Sequence, residues 1–483
     1  MTNGLVRGVA FLATLASLAV LVAGQSGPAT ATTLKWGACP DGVPRQVACS
    51  KLRVPLDYAK PDGRQITLTL SAIGSLSAKH FLLVNPGGPG ASGLGTEQLV
   101  SAALPEAVAE QYAVFSFDPR GVGQSSPVDC GDLSDLTPHP ALPYRPANQA
   151  QEQQRISLAQ QVAARCGAKA KDLLPHITTE NAARDMDRIR IALGRDKLDY
   201  LGYSYGTKLG ATYATLFPQH TGRMILDSVV DPMVSTYRTA YEQNPALQKR
   251  AQQLFTWTAA RESTYHLGKT RLAVAAVYDQ VHRALAAKPA GGRAGGAELD
   301  DLLASSMYID DSWDGLVRAI ADYRKGNPDT LLAATDQLAS QSVDPGQLAY
   351  NCMDRGWPRT WRHWHNDTAA SNASAPLFAW LNTWYGAPCA FWPVGPAREV
   401  RIGSVDVPPI LLLQGKHDAA TPAIGALRMR QALKGSRLLV DGGGNHASYL
   451  FEKNPCRDKR AEQYLLTGEL PSDGLCPAPT SEG

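Results

Sequence analysis

The sequence predicts an α/β fold with a mostly parallel, doubly wound sheet. Over residues 80–230, apolar runs of strand length alternate with stretches of helical periodicity, an order typical of a parallel sheet covered on both faces. Only helical stretches follow over 235–400, and the strand pattern resumes over 401–483. We therefore predict one α/β core, formed by 32–234 and 401–483, with a helical lid inserted between its strands.

Residues 1–31 have the features of a signal peptide. Arg7 supplies a positively charged n-region, and the apolar stretch over 9–23 is too short to span a membrane. Small residues follow, with 29–31 as the expected cleavage site and Gly24 as an alternative. We therefore expect an exported, extracellular protein that has no membrane contact after cleavage; the other interpretation is an uncleaved anchor.

The charge balance argues against nucleic acid and anionic membranes as partners. The 47 Lys and Arg residues nearly cancel the 44 Asp and Glu residues, which leaves a net charge of +3 at pH 7. Proteins that bind nucleic acid carry a basic patch or run, and no long basic run interrupts this sequence.

The eight cysteines are expected to form four disulfides. An even number of cysteines in an exported chain is typical of a disulfide framework, and no pair has the C-x-x-C spacing of zinc or redox sites. Spacing alone leaves many pairings open. We favour sequential pairing, because each bond then closes a local loop at a small entropic cost. The predicted pairs are Cys39 with Cys49, Cys130 with Cys166, Cys352 with Cys389, and Cys456 with Cys476.

Apolar or alternating runs, several of them rich in β-branched residues, predict the strands. They cover 65–73, 80–85, 112–117, 197–201, 223–230, 409–415 and 436–440. Helical periodicity is found over 149–166, 179–193 and 423–433. The segment over 36–60 shows no regular pattern, and we predict it to be irregular.

The stretch around Ser204 is the most informative part of the sequence. A strand-like run ends in Gly-Tyr-Ser-Tyr-Gly, and a helical pattern begins directly afterwards. Gly202 and Gly206 allow the backbone to pack closely at a sharp turn, which exposes the Ser204 hydroxyl above the sheet as in a nucleophile elbow. The alternative is an ordinary strand-to-helix turn in which Ser204 merely caps the helix.

A serine nucleophile needs a base, and the base needs an acid that orients it. Asp418 follows the strand over 409–415, and His446 follows the last core strand after three glycines. The order Ser204, Asp418, His446 is that of a nucleophile elbow with its partners. His417 competes as base, but it is adjacent to Asp418 and would point away from it. Thr421 is expected either to donate to Asp418 or to cap the following helix.

Acyl transfer also requires hydrogen-bond donors for an oxyanion. The N–H group of Tyr205, the residue after Ser204, is one candidate. The glycine-rich turn over 86–93 leaves backbone N–H groups free to face an anion. We predict Gly87 as the second donor, with Gly88 as the next choice.

Such chemistry needs no cofactor, and we expect neither a cofactor nor a metal. His363 and His365 lie in the predicted lid, without further ligands at metal-binding spacing, so we interpret them as surface residues.

Two further features border the predicted site. The turn over 118–125 follows a strand, and contacts of Asp118 and Arg120 to the backbone are expected to hold it as a scaffold. Six of the nine tryptophans lie over 357–392. They are expected to form either an apolar substrate cleft or the core of the insertion.

The sequence resembles secreted tripeptidyl aminopeptidases, serine peptidases of the α/β-hydrolase fold that are akin to proline iminopeptidases. The resemblance rests on Asp418, His446 and the motifs Asn-Pro-Gly-Gly-Pro-Gly, Asp-Pro-Arg-Gly-Val-Gly-Gln-Ser and Gly-Tyr-Ser-Tyr-Gly-Thr. It covers nearly all of the mature chain and is most specific at Gly-Gly-Pro-Gly. It implies a triad of Ser204, Asp418 and His446, oxyanion donors at Gly87 and Tyr205, a helical lid, and release of short peptides from N-termini.

An exopeptidase must bind the free ammonium group of its substrate, for which a desolvated carboxylate is suitable. Asp354, next to a predicted disulfide, is our first candidate, and Glu242 and Asp231 are the alternatives. For each of them, an ordinary surface carboxylate is the alternative that we favour over this role.

Three functions are compatible with the sequence. The first is a secreted serine exopeptidase that releases di- or tripeptides from peptides and proteins with a free N-terminus. The second is a secreted carboxylesterase or lipase, which would use the same triad. The third is a binding protein that has the fold but no activity.

Overall fold

A nine-stranded sheet forms the centre of the molecule. The structure, a computed structural model, describes residues 34–339, 344–403 and 406–479, so the predicted signal peptide lies outside the described residues. The strands are β1 (Ala48–Pro55), β2 (Gln65–Ile73), β3 (His80–Asn85), β4 (Tyr112–Phe117), β5 (Leu198–Tyr203), β6 (Thr221–Asp227), β7 (Ile410–Gly415), β8 (Arg437–Asp441) and β9 (Gly474–Cys476). They lie side by side in the order β1-β2-β4-β3-β5-β6-β7-β8-β9.

The sheet is mostly parallel, as predicted. Strands β1 and β2 pair in antiparallel fashion, as do β2 and β4, and every later neighbouring pair is parallel. Because parallel strands point the same way, the residues that follow β3, β5, β6, β7 and β8 meet at one edge of the sheet.

Helices cover the sheet and fill the long interval between β6 and β7. The helices before β6 are α1 (Thr96–Ala103), α2 (Glu106–Ala109), α3 (Gln149–Ala170), α4 (Thr179–Ala192) and α5 (Tyr205–Leu216). Those between β6 and β7 are α6 (Thr236–Ala259), α7 (Glu262–Tyr265), α8 (Arg271–Ala287), α9 (Gly296–Ser306), α10 (Ser312–Arg324), α11 (Asp329–Ala339), α12 (Pro345–Met353), α13 (Trp361–Asn372) and α14 (Ala379–Gly386). The last two are α15 (Ala423–Ala432) and α16 (Pro455–Thr467). We call α6 to α14 the helical insertion.

Both faces of the sheet are buried. Strand β3 illustrates this: Phe81 and Leu83 pack into the core that contains residues of α4 and α5. The alternate residues Leu82 and Val84 pack into the core that contains residues of α1 and α16. Because successive side chains of a strand point to opposite faces, an uninterrupted apolar run requires cover on both sides.

The helical insertion has a core of its own, built by α6, α8, α9, α10 and α11. Most of its tryptophans pack against one another rather than line an open cleft. Trp364 is only 1% exposed and stacks on Trp357 and Trp361, and Trp361 stacks in turn on Trp384. Of the two expected roles for these residues, the structure therefore favours packing.

All four predicted disulfides are formed, with the sequential pairing. They join Cys39 to Cys49, Cys130 to Cys166, Cys352 to Cys389, and Cys456 to Cys476. The last one fastens the edge strand β9 to α16. Among the described residues, none of the helices combines the length and apolar character needed to cross a membrane.

The prediction of an irregular segment over 36–60 was wrong for its second half. Strand β1 alternates exposed Lys51 and Arg53 with buried Leu52 and Val54. It pairs along its whole length with β2. The alternation is short and interrupted by small and polar residues, so the partner strand rather than the local sequence determines its conformation.

Candidate active site

Ser204 occupies a sharp turn between β5 and α5. Its backbone has φ 54° and ψ −123°, a conformation that is rare for a residue with a side chain and that marks functional turns. The side chain makes no capping hydrogen bond to α5, which argues against the helix-cap alternative. A methyl group at Gly202 would lie 2.5 Å from the Gly206 carbonyl oxygen. The turn therefore requires the close packing that the two glycines allow.

Asp418 and His446 form a buried hydrogen-bonded pair. The distance from His446 Nδ1 to Asp418 Oδ2 is 2.9 Å. Asp418 Oδ1 also accepts the N–H groups of Ala420 and Thr421 at 2.9 and 3.0 Å, and Oδ2 accepts the Thr421 hydroxyl at 2.8 Å. Of the two roles predicted for Thr421, the structure supports the donor. For the competing His417, the structure shows a backbone contact: its N–H donates to the Gly443 carbonyl oxygen at 2.9 Å.

The pair is electrostatically coupled. Burial opposes the ionisation of Asp418, but the His446 imidazole and the Thr421 donors outweigh it and hold the pKa of Asp418 below its usual value. Burial likewise opposes a charge on His446, and Asp418 outweighs it, so the pKa of His446 is raised. An imidazole held in this way can accept a proton from a neighbouring hydroxyl and keep it.

Two hydrogen bonds fasten the loop that carries His446 to the end of β6, and a third joins the end of β6 to the Ser204 turn. Ala447 N–H donates to Ser228 Oγ at 2.7 Å, and Tyr449 N–H donates to Asp227 Oδ2 at 2.9 Å. The carbonyl oxygen of Asp227 accepts the Ser204 N–H at 3.0 Å. The serine turn and the histidine loop thus share Asp227 as a partner.

The glycine-rich turn after β3 lies against the serine turn. A methyl group at Gly87 would lie 2.9 Å from Ser204 Cβ and 3.3 Å from the Tyr205 nitrogen. The Gly87 N–H, however, donates to Asn85 Oδ1 at 3.1 Å. Within the described part of the chain, the N–H groups of Gly88 and Tyr205 have no acceptor. The N–H group of Gly87, our first choice as donor, is thus engaged by Asn85, whereas that of Gly88, the next choice, is available.

Asp118 holds the glycine-rich turn in place. Its Oδ1 accepts the Ser92 hydroxyl at 2.6 Å and the Gly93 N–H at 2.9 Å. Arg120 donates to the carbonyl oxygen of Leu56, as expected of a scaffold residue, and also forms a two-point ion pair with Asp185 at 2.6 and 2.7 Å. The predicted backbone contacts are confirmed, and Asp185 was missed because it comes from a distant helix.

Comparison with known proteins agrees with this geometry. A family model described as the alpha/beta hydrolase fold matches residues 81–453. The chain is 38% identical to the tripeptidyl aminopeptidase of Streptomyces lividans, over 90% of this chain and 84% of that protein. The chain belongs to the tripeptidyl aminopeptidase family of α/β-hydrolases. Its membership makes it a serine hydrolase of the peptidase type.

Two further relatives cover nearly the whole chain. The serine protease Hip1 of Mycobacterium tuberculosis is 30% identical over 92% of this chain and 91% of that protein. The carboxylesterase B of the same organism is 29% identical over 95% of this chain and 92% of that protein. Relatives of the family thus carry both peptidase and esterase names.

The first candidate for binding a substrate ammonium does not fit that role. Asp354 Oδ2 accepts a hydrogen bond from Lys208 Nζ at 2.8 Å and another from the Thr236 hydroxyl. Glu399 lies 3.1 Å from the same ammonium group. The charge of Asp354 is therefore used to hold a lysine of α5, which argues against its predicted role.

The other two candidates share one cation. Arg428 forms an ion pair with Asp231 and lies 3.7 Å from Glu242. Two carboxylates beside one guanidinium leave one negative charge uncompensated within the cluster. The neighbouring Gln243 donates to the carbonyl oxygen of Ala420, close to Asp418. Helix α6, which carries Glu242, therefore contacts the segment that carries Asp418.

The helical insertion contacts the histidine loop directly. His446 N–H donates to the Tyr308 carbonyl oxygen at 2.8 Å, and Asp310 N–H donates to Asn445 Oδ1 at 2.8 Å. The Tyr308 ring stands edge-on to the imidazole, with a centroid distance of 5.3 Å. The turn between α9 and α10 thus forms one wall of the site, which no sequence motif indicated.

A second part of the insertion contacts the glycine-rich turn. The backbone at Gly90 packs against Gln347 at the start of α12, so closely that a methyl group would lie 2.4 Å from its nitrogen. Tyr385 donates its hydroxyl to Gln347 Oε1 at 2.6 Å. Tyr385 is 61% exposed, yet surrounding protein and nearby Tyr308 raise the pKa of its hydroxyl. Residues of α12 and α14 thus border the glycine-rich turn.

Proposed function

We propose that this protein is a secreted serine exopeptidase that releases short peptides, tripeptides in particular, from the free N-terminus of peptides and proteins. The observation that carries the proposal is the Asp418–His446 hydrogen bond of 2.9 Å on a loop fastened to the Ser204 turn. The tripeptidyl aminopeptidase name of the relative at 38% identity supports the substrate class.

The proposed reaction is acyl transfer in two steps. Ser204 Oγ attacks the carbonyl carbon of the scissile peptide bond while His446 takes the hydroxyl proton, and Asp418 stabilises the imidazolium that forms. The N–H groups of Tyr205 and Gly88 stabilise the oxyanion. His446 then gives its proton to the leaving amine, and the C–N bond breaks. Water then attacks the acyl carbon while His446 takes its proton; the ester bond to Ser204 Oγ breaks, His446 returns the proton to Oγ, and the short peptide is released.

The Asp231–Glu242–Arg428 cluster is our proposed site for the substrate ammonium. Its uncompensated negative charge supports this role, as does its position at the junction of the insertion with the core. Asp231 is buried, so its charge acts through a medium of lower polarity than water. Binding of the free amine at a fixed distance from Ser204 would determine how many residues are released.

The proposed extracellular location rests on two observations. The sequence begins with the features of a signal peptide. Four disulfides are formed and no free cysteine is found among the described residues, as is usual for proteins of oxidising compartments.

The decisive experiment compares three substrate types. A tripeptidyl amide, its N-acetylated form and a short-chain ester are assayed with the wild-type enzyme and with Ser204→Ala. We expect cleavage of the free tripeptidyl amide, loss of cleavage on N-acetylation, and a fall of at least about 10⁴-fold in Ser204→Ala. Unchanged peptidase activity of Ser204→Ala would refute the proposal.

A carboxylesterase is the second candidate function, favoured by the 29% identity to carboxylesterase B. It would use the same residues on an ester carbonyl. The esterase would be favoured if the enzyme cleaved the ester faster than the tripeptidyl amide and cleaved the amide equally well with and without N-acetylation. Failure of Ser204 to react with a fluorophosphonate probe would instead favour a binding protein without activity.

A further inference from the structure

Asp227, the last residue of β6, contacts both halves of the proposed catalytic machinery. Its carbonyl oxygen accepts the Ser204 N–H at 3.0 Å. Its carboxylate oxygen Oδ2 accepts the Tyr449 N–H at 2.9 Å, three residues beyond His446. The side chain is 1% exposed. A buried acid therefore lies at the junction between the serine turn and the histidine loop.

The carboxylate is incompletely paired. Its second oxygen, Oδ1, is buried and has no hydrogen-bond partner among the described residues. Arg457 favours the charge of Asp227, but its guanidinium donates to Asp441, Asp458 and the loop at Ser448. A buried carboxylate with a free oxygen needs another source of stabilisation.

His446 supplies a second electrostatic partner. The charged and titratable groups that act on Asp227 are Arg457 of α16, His446 and Asp418 of the pair, and the hydroxyls of Tyr203 and Tyr449. Those that act on His446 are Asp418 and Asp227, and Tyr308 packs against its ring. Two acids thus favour a charge on His446: Asp418 through a hydrogen bond and Asp227 through its charge.

We propose that Asp227 is a positioning residue of the site: it holds the histidine loop against Ser204 and its charge supports the imidazolium that forms when Ser204 loses its proton. This inference rests on the proposed function and deepens it. Coulomb attraction in a buried site is only weakly screened, so a second carboxylate without direct contact still stabilises the imidazolium. Asp418 sets the orientation of the ring, and Asp227 adds charge.

Because Asp227 is titratable, the support that it gives to the His446 imidazolium should depend on pH. Burial raises the pKa of Asp227 to about 6, against the lowering effects of Arg457 and of the Tyr449 N–H. Above that pH the carboxylate is ionised and raises the pKa of His446. As the pH falls through this value, Asp227 takes up a proton and the support of its charge is lost.

The test is Asp227→Asn, which removes the charge and keeps an oxygen that can accept the Tyr449 N–H. The rate of fluorophosphonate labelling at Ser204 and kcat/KM are measured against pH. We expect the midpoint of the acid limb to move down by about 0.5–1 pH unit and the plateau rate to fall about tenfold. The fall should be in kcat rather than KM, and Asp227→Glu should restore part of it.

The matched control is Asp441→Asn. Asp441 is a buried carboxylate on the same Arg457, and burial raises its pKa too, but it is not among the groups that act on His446. Its substitution should lower the melting temperature without moving the midpoint. The inference would be overturned if Asp227→Asn changed neither the midpoint of the acid limb nor the plateau rate. It would also be overturned if Asp441→Asn shifted that midpoint equally.

Two further outcomes are informative. If Asp227→Asn does not fold, the imidazole of His446 is titrated by NMR in the wild-type enzyme: a second inflection near the pKa of Asp227 supports the inference, and a single one-proton curve refutes it. Wild-type enzyme whose Ser204 is not labelled at any pH would refute the proposed function itself, which is a different result from an unchanged profile.

Discussion

Gly87 shows at the scale of one residue how tightly the site is built. It has φ +105°, and a methyl group there would lie 2.6 Å from the Tyr203 carbonyl oxygen and 2.9 Å from Ser204 Cβ. The absence of a side chain is what lets the glycine-rich turn approach the serine turn. The free Gly88 N–H beside it depends on this approach.

Gly87→Ala should therefore displace the turn without unfolding the protein. We expect kcat/KM to fall by about 10²-fold or more, comparable to the loss of an oxyanion donor, with circular dichroism unchanged. Gly315→Ala is the control: the residue lies in α10 with no heavy atom within 4 Å of the added methyl group. That substitution should leave activity intact and raise stability by about 0.5–1 kcal/mol. Equal activity of the two variants would contradict the proposal that the glycine-rich turn supplies an oxyanion donor.

The pH dependence follows from His446. Its pKa is raised above the ordinary value because Asp418 and Asp227 favour the imidazolium over the cost of burial. The neutral form, which acts as base, is thus lost as the pH falls through this raised pKa. We expect kcat/KM to decline below a midpoint above about 6.5. A rate that stays constant down to pH 4 would exclude His446 as base.

Several site residues could be predicted from the sequence, and others could not. Ser204, Asp418 and His446 follow strands of one parallel sheet, so strand order alone brings them to one edge. The engagement of the Gly87 N–H by Asn85, the role of Asp227 and the contact of Tyr308 with His446 depend on packing between segments far apart in the chain. No local sequence pattern indicates any of these three interactions.

At the scale of elements, one buried ion pair joins the core to the insertion. Lys208 of α5 is 7% exposed and donates to Asp354, the residue that follows α12. Asp354 was predicted as a substrate-binding residue because it lies next to a disulfide in the insertion. The sequence could not show that a lysine from another element neutralises it.

Lys208→Met should leave the partly buried Asp354 without its cation. We expect the free energy of unfolding to fall by about 3 kcal/mol, because breaking one side of a buried pair is costly. Arg318→Met is the control, because its ion pair with Asp314 is exposed and lies within one helix, so we expect little loss of stability. Denaturant unfolding measures both variants. Similar losses of stability in the two variants would show that the Lys208–Asp354 pair does not stabilise the contact between the core and the helical insertion.

At the scale of the whole molecule, the C-terminal segment links the edge of the sheet to the site. Strand β9 pairs with β8, and the Cys456–Cys476 disulfide ties it to α16. Arg457, next to Cys456, donates to the Ser448 hydroxyl and carbonyl in the histidine loop. The Cys456–Cys476 disulfide is thus adjacent in the chain to Arg457, whose side chain holds the histidine loop.

Replacing Cys456 and Cys476 together by Ser should therefore affect both stability and activity. Loss of a cross-link over 20 residues is expected to cost about 2–4 kcal/mol through the greater entropy of the unfolded chain. Activity should begin to fall at temperatures below the global unfolding transition, because α16 and Arg457 loosen first. The corresponding double variant of Cys39 and Cys49, whose bond spans 10 residues, should lose stability with activity kept up to its own transition. Calorimetry and residual activity against temperature separate the two, and coincident loss in both variants would show that the edge of the sheet does not support the site.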